Sequence, residues 1–396
     1  MSLIKALIKK ITQFLGYNIS ITKINQADKP IFNFFKTCYP KRVLISYITA
    51  PFRNNLTYGH TNYIECLEAA KIFNKLGYQV DIIDWNKKYK EIDFAEYEVI
   101  YGFGEALHNC FYFNIKQTLK IIHYGTGSYS YFQNAESLKR VYNLYKRKGI
   151  FIPESARLVE NLYSNQIFFA NALIIVGNKH TLTTYPKPYT QHKLYEIPIF
   201  FHKVFDIDIT KKDFSKAKFN FLWFGGEGLI HKGLDILLEL FKKRKDINLH
   251  ICGAISYEKR VENLYYDYLY NTENIKTYGF INIKSEMFQS ILNICGTCIF
   301  SSASEGSAPS VVTVMGNGGL IPIINEACGI DIPENTGFII KNSELSTIET
   351  AINQLLLLKE EELRIRSKKI IDFISSEHSL ENYSNNLYKY IKLSTE

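Results

Sequence analysis

Several signatures are missing from this 396-residue chain, and each absence removes a class of function. No apolar run reaches the ~20 residues that a membrane-spanning helix needs, and no secretory leader pattern is present. The formal net charge is +8, but no arginine-rich stripe or RNA-binding signature accompanies it, so nucleic acid is not indicated as a partner. No G-x-G-x-x-G with an acidic residue at the usual distance follows any strand-like segment, which argues against a nicotinamide enzyme. No clustered aspartate pair of the kind that holds a cation beneath a diphosphate is found, so no metal is implied. The seven cysteines are odd in number and scattered. Cys295 and Cys298 form a CGTC, yet no second pair completes a zinc site, and both read as buried, reduced thiols of a cytoplasmic protein. Short-period repeats and low-complexity tracts are also absent.

What is present is an alternation of strand and helix patterns, twice over. From Arg42 the pattern predicts strands over 43–48, 79–84, 97–103, 119–124 and 173–177, with helices over 63–76, 137–148 and 155–169. It lapses between 196 and 218 into a proline-containing, then charged stretch that reads as a linker. A second series has strands over 219–224, 248–253, 275–278, 298–302 and 320–324, and helices over 285–293, 311–315, 345–358, 360–374 and 380–393. The fold class that follows is α/β, two doubly wound Rossmann-like domains facing a central cleft. The divisions are an N-terminal lead-in over 1–41, a first domain over 42–195, a linker over 196–218, a second domain over 219–375, and a final helix over 376–396 crossing back to the first domain. Such folds bind ligands at the carboxyl ends of their strands, here toward the cleft.

The lead-in carries half of the excess charge. Lys5, Lys9, Lys10 and Lys23 occur before any acidic residue, and Leu3, Leu7, Ile11, Phe14 and Leu15 recur at helical spacing. A basic amphipathic helix of this kind suits either an anionic membrane surface or a protein surface.

The segment FLWFGGEGLIHKG carries the strongest local signal. A buried strand runs into Gly225, Gly226 and Gly228, where the backbone can turn closely, and then into Lys232 and Gly233 at the head of an amphipathic helix. Backbone amides and a lysine in this arrangement suit a phosphate group. A second segment, SSASEGSAPSVVTVMGNGGLIPII, takes a strand into a small-residue loop. There Glu305 is placed to accept hydrogen bonds from hydroxyls, and the amides near Gly306, Ser307 and Ala308 precede a helix begun by Pro309. A carboxylate beside a phosphate cradle suits a ligand anionic at one end and polyhydroxylic at the other.

Together the segments resemble GT-B glycosyltransferases, specifically the retaining enzymes of glycosyltransferase family four (group 1). The resemblance runs over most of the chain from Arg42 and is strongest over 219–338. Its motifs are Gly226 with Lys232 and Gly233, the strand end Ile251, Cys252 and Gly253, the Tyr278–Gly279 turn, Ser301 and Ser302, Glu305 and Gly306, and Gly319 to Pro322. By that resemblance Lys232 neutralises a donor diphosphate, Glu305 holds a donor-sugar hydroxyl, and Ser307 and Ala308 offer amides. His123 stands where the family places a group near the reacting sugar, and Gly59 and His60 lie on the acceptor side. Two positions depart from the family. Glu227 replaces the usual arginine five residues before the lysine, with Arg157 as a substitute cation, and Thr313 replaces the glutamate that normally grips the ribose.

The implied activity is transfer of a sugar from a nucleotide-sugar donor to a glycan or lipid-linked acceptor, in surface polysaccharide or lipopolysaccharide synthesis. The donor is a substrate, so no cofactor is implied, and the enzyme would be metal-independent and cytoplasmic, peripheral on a membrane. The alternatives are a catalytically silent binding or scaffold protein of the same fold, and a nucleotide-sugar epimerase.

Overall fold

The computed structural model describes residues 29–54, 60–110, 115–160, 165–186 and 193–396. The amphipathic segment expected over the first residues and Gly59 lie outside them. Among the described residues no helix is long and apolar enough to cross a membrane.

Two six-stranded sheets, parallel throughout, form the core. The first contains β1 (Lys41–Tyr47), β2 (Tyr78–Asp84), β3 (Val99–Gly102), β4 (Lys120–Gly125), β5 (Ala172–Val176) and β6 (Lys193–Ile197), in the order β2-β1-β3-β4-β5-β6. The second contains β7 (Asn220–Phe224), β8 (Asn248–Cys252), β9 (Ile275–Gly279), β10 (Thr297–Phe300), β11 (Ile321–Asn325) and β12 (Phe338–Ile340), in the order β12-β11-β10-β7-β8-β9. Central strands are apolar on both faces, as in Val43, Leu44 and Ile45 or Phe221, Leu222 and Trp223, because helices cover both sides of a parallel sheet.

In each sheet the chain winds outward from a first strand and then returns to that strand's other side. The reversal falls between β1 and β3 in one sheet and between β7 and β10 in the other. Loops leaving neighbouring strands part at such a reversal and open a crevice at the carboxyl edge. The loops after β7 and β10 are the two that carry Lys232 and Glu305.

The polypeptide crosses between the sheets twice, at neighbouring positions. The Phe201 amide donates to the His378 carbonyl at 3.0 Å, and the His378 ring is 2.6 Å from the Ile199 carbonyl. Beyond this point the final helix, Leu380–Thr395, lies on the first sheet. Tyr383 is fully buried there, its hydroxyl 2.8 Å from that of Tyr124, and Tyr390 stacks on Tyr195 at 4.5 Å.

Three elements differ from the sequence reading. The helix expected over 155–169 is not formed among its described residues, which hold single turns at Pro153–Ser155 and Asn165–Phe168. The Asn134 side chain takes both backbone groups of Val159, at 2.7 and 2.8 Å, and the Ser137 hydroxyl accepts the Arg157 amide at 2.8 Å. These tertiary bonds hold the segment extended against the helix Ser130–Lys148. Strand β6 was not anticipated and runs two residues into the stretch read as linker. Its half-exposed sequence KLYEI, at a sheet edge, carries little apolar alternation. The three-residue β12 is likewise too short to leave a periodic signal.

Candidate active site

A cavity of about 810 Å³ separates the carboxyl edges of the two sheets. Its second-domain wall is the loop after β10, with Ser304, Glu305, Gly306 and Ser307, and its first-domain wall includes His60, His123 and the Gly125–Gly127 backbone. Arg157 also lines it. The structure thus gathers His60, His123, Glu305, Gly306 and Ser307 of the sequence-derived set around one space.

Lys232 lies behind that wall. Its ammonium pairs with Glu305 Oε1, which also accepts the Ser302 hydroxyl at 3.0 Å, and both charged side chains are nearly nine-tenths buried. The Glu305 carboxyl is held at about 2: burial opposes its ionisation, but the charges of Lys232 and Arg157 and the bond from Lys232 outweigh that cost. Burial also lowers the Lys232 ammonium, against the pull of Glu305. Glu305 Oε2 takes no bond from the described residues and is the oxygen left for a ligand hydroxyl.

The lysine's backbone is pinned too. The indole N–H of buried Trp223 donates to the Lys232 carbonyl at 3.2 Å, and the ammonium stands 5.6 Å over the Phe300 ring. Beside it, His231 bridges the domains. Its Nε2 is 2.7 Å from the Ser304 carbonyl, which only accepts, so that nitrogen carries the proton and Nδ1 accepts from Ser137 at 3.2 Å. Burial pushes this imidazole down to about 4, which keeps it neutral.

The glycine-rich turn behaves differently from the sequence reading. In the turn expected to present amides to a phosphate, the Gly228 and Leu229 amides donate instead to Glu258 Oε1 at 2.6 and 3.0 Å. Gly226 has open space where a side chain would stand. The glycine the geometry requires is Gly228, with φ of +88°, where a Cβ would come within 2.5 Å of the Arg157 side chain. Arg157 therefore lies directly on the turn and near Glu305, although it comes from the other domain. Glu227, at the position where family four has arginine, is exposed.

The loop after β10 is also partly committed. The Ala308 amide donates to the Cys328 carbonyl at 2.9 Å, so it is not presented to the cleft, and the Ser307 hydroxyl donates to the Gly329 carbonyl at 3.1 Å. Thr313 is buried in the helix Pro309–Gly318 and does not line the cavity. Gly306 marks a close approach of the domains: an added Cβ would meet Val176 O at 2.6 Å and Gly127 Cα at 2.8 Å, and its carbonyl accepts from Thr181 at 3.0 Å.

On the first-domain wall His123 lies within β4. It is nearly buried, burial pushes it down to about 4, and its Nδ1 has no partner among the described residues. The His60 ring accepts the Asn62 amide at 3.1 Å. Buried oxygens of Ser304 and Asn62 are likewise unpartnered and line the cavity. Polar atoms left unsatisfied at a cavity wall are costly unless a ligand or water meets them.

The domains are clamped together by the helix Ser130–Lys148. Arg140 donates to the Ser301 carbonyl at 2.5 Å, and Arg147 pairs with Asp235 and, at 3.3 Å, with Glu239. Sequence reading missed His231, Glu258 and this clamp. Their partners lie roughly 30 to 160 residues away in the chain, and no local pattern marks them.

Two facing parallel α/β sheets with a crossing C-terminal helix define the GT-B fold. Solved structures agree. A sucrose-phosphate synthase from Thermosynechococcus elongatus superposes with a TM-score of 0.61 at 14% identity, over 89% of this chain and 98% of that one. A glycosyltransferase from Rickettsia africae gives 0.57 at 14%, over 90% and 98%. Anabaena Alr3699/HepE, solved in complex with UDP-glucose, gives 0.54 at 14%, over 89% and 99%. No curated protein matches the chain in sequence. Residues 206–386 match the family described as glycosyl transferases group 1. The chain is GT-B in fold, and it is its second domain that is similar to the group 1 glycosyl transferases.

Proposed function

We propose that the chain moves a sugar from a nucleotide-sugar donor, with retention at the anomeric carbon as in family four, onto a glycan or lipid-linked acceptor. The observation that carries this reading is the Lys232–Glu305 pair, set where the loops after β7 and β10 meet the cavity of a group 1 glycosyl transferase domain. The solved Anabaena protein, with UDP and with UDP-glucose bound, supports a donor of that type.

In this reading Glu305 Oε2 accepts a hydroxyl of the donor sugar, and Arg157, lying on the Gly228 turn, meets the diphosphate. Lys232 acts from behind, fixing the carboxylate and lending positive potential to the leaving group. The bond from the anomeric carbon to the diphosphate breaks with its electron pair going to phosphate. An acceptor hydroxyl then bonds to the same sugar face and gives up its proton to the departing diphosphate oxygen. Stabilising the departing charge with groups already in place is the main source of acceleration. The proposal extends to a metal-independent hexosyl transfer, made on a membrane surface during polysaccharide or lipopolysaccharide synthesis.

The test is a thermal-shift and turnover screen of nucleoside diphosphates and nucleotide sugars. A stabilising nucleotide, and release of that nucleotide only when an acceptor is supplied, is the expected result. Binding without turnover by any sugar would leave a silent binding protein. That second reading draws on the Glu258 carboxylate, which already occupies the Gly228 and Leu229 amides.

A further inference from the structure

Away from Arg157 and the glycine turn, the cleft is also lined by Glu65, a residue the transfer mechanism above does not use. Glu65 sits on the helix Asn62–Lys75 and is 3% exposed. Its Oε2 accepts hydroxyl hydrogens from Tyr47 at 3.0 Å and Tyr124 at 2.9 Å, and Tyr124 is held in turn by Tyr383 of the crossing helix. Oε1 takes no bond from the described residues. A carboxylate fixed at one oxygen and open at the other is a rigid hydrogen-bond acceptor facing the cavity.

Its neighbours are of the same character. Asn62 Oδ1 and His123 Nδ1 are buried without partners, and both residues line the cavity. At the same end the rings of Trp85 and Phe103 line the space, with centroids 5.5 Å apart. An acceptor-only carboxylate calls for a ligand that donates, and it repels phosphate or carboxylate at short range. Aromatic faces carry partial negative charge and favour the C–H face of a ring whose edges are hydroxyls. Donating edges and a C–H face together describe a neutral sugar.

We infer that the first-domain wall is a subsite for an uncharged, hydroxyl-rich sugar ring, the acceptor's terminal residue, with Glu65 accepting its hydroxyls and Trp85 and Phe103 flanking its face. This rests on the transferase reading and adds the acceptor's chemical class. Anionic sugars, such as uronates or sugar phosphates, are disfavoured at this wall.

The experiment uses the full chain saturated with UDP, whose own binding is measured first by calorimetry. Saturation-transfer NMR then compares neutral methyl glycosides (gluco, galacto, manno and N-acetylgluco) with methyl glucuronide and methyl glucoside 6-phosphate. At least one neutral glycoside is expected to bind about tenfold more tightly than both anionic probes, and Glu65→Gln to weaken it about tenfold and erase the bias while UDP affinity stays unchanged. Anionic probes binding as well as neutral ones, no neutral glycoside binding while UDP does, or an indifferent Glu65→Gln would each overturn the inference. If Glu65→Gln melts early, Asn62→Ala, whose side chain makes no described hydrogen bond, is put through the same comparison with the same outcomes. Failure of every nucleoside diphosphate to bind would remove the transferase reading itself, and the subsite with it.

Discussion

Lys232 and Glu305 face each other across the reversal point of the second sheet, one from the loop after β7 and one from the loop after β10, and their charges meet where little solvent reaches. The carboxylate is shared between the lysine and Ser302 on one oxygen and left open toward the cleft on the other. In the proposed transfer, donor-sugar recognition and the electrostatics of the leaving group would be coupled through this one pair.

Breaking the pair on one side should cost more than removing it altogether. Lys232→Ala strands a buried carboxylate and is expected to destabilise by about 3–5 kcal/mol, and to lower turnover by at least ~100-fold. The double variant Lys232→Met with Glu305→Gln should recover most of the melting temperature and none of the activity. Denaturant unfolding alongside turnover separates the two effects, and full recovery of turnover would remove the pair from the mechanism.

The pair also sets a pH dependence. Glu305 ionises at about 2 in the folded protein, below its ordinary value of 4.5, so the unfolded chain binds the proton more readily. The stabilisation is fully present above about pH 4.5 and is lost as pH falls toward 2, a difference on the order of 3 kcal/mol. Urea unfolding of wild type and Glu305→Gln between pH 6 and 2 should show the gap between them closing across that window. A constant gap would contradict the assignment.

Arg157→Ala tests the substitute cation. Affinity for UDP should fall about tenfold or more, its dependence on salt should flatten, and uridine should bind as before. Equal losses for UDP and uridine would mean that the residue shapes the cleft without meeting the diphosphate.

The basic N-terminal stretch is a matter for the sequence alone. Removing residues 1–16 should release the protein from vesicles rich in anionic lipid, as read by sedimentation, and leave its melting temperature unchanged. A lowered melting temperature would show that the segment packs on the protein instead.

The two sheets were legible because strands buried on both faces are short apolar runs, and helices between them repeat every three to four residues. The two loops that carry Lys232 and Glu305 were legible because they follow the central strands β7 and β10. Arg157 was legible only as a cation in search of a partner, and the 155–169 segment misled. Its residues have helical spacing, but Asn134 and Ser137 offer the backbone better bonds than a helix would. The Ala308 amide read as a free donor until the fold showed the Cys328 carbonyl accepting it, and Glu258 accepts the amides of Gly228 and Leu229 in the glycine turn.

By itself the sequence determined ten of the twelve described strands and which loops follow them, because hydrophobic period and turn chemistry are local. Which groups share the cleft was decided only by tertiary structure. Hydrogen bonds and ion pairs such as His231 to Ser137 or Arg147 to Asp235 join residues some 90 positions apart, and no local pattern encodes a contact that exists only once two domains close on each other.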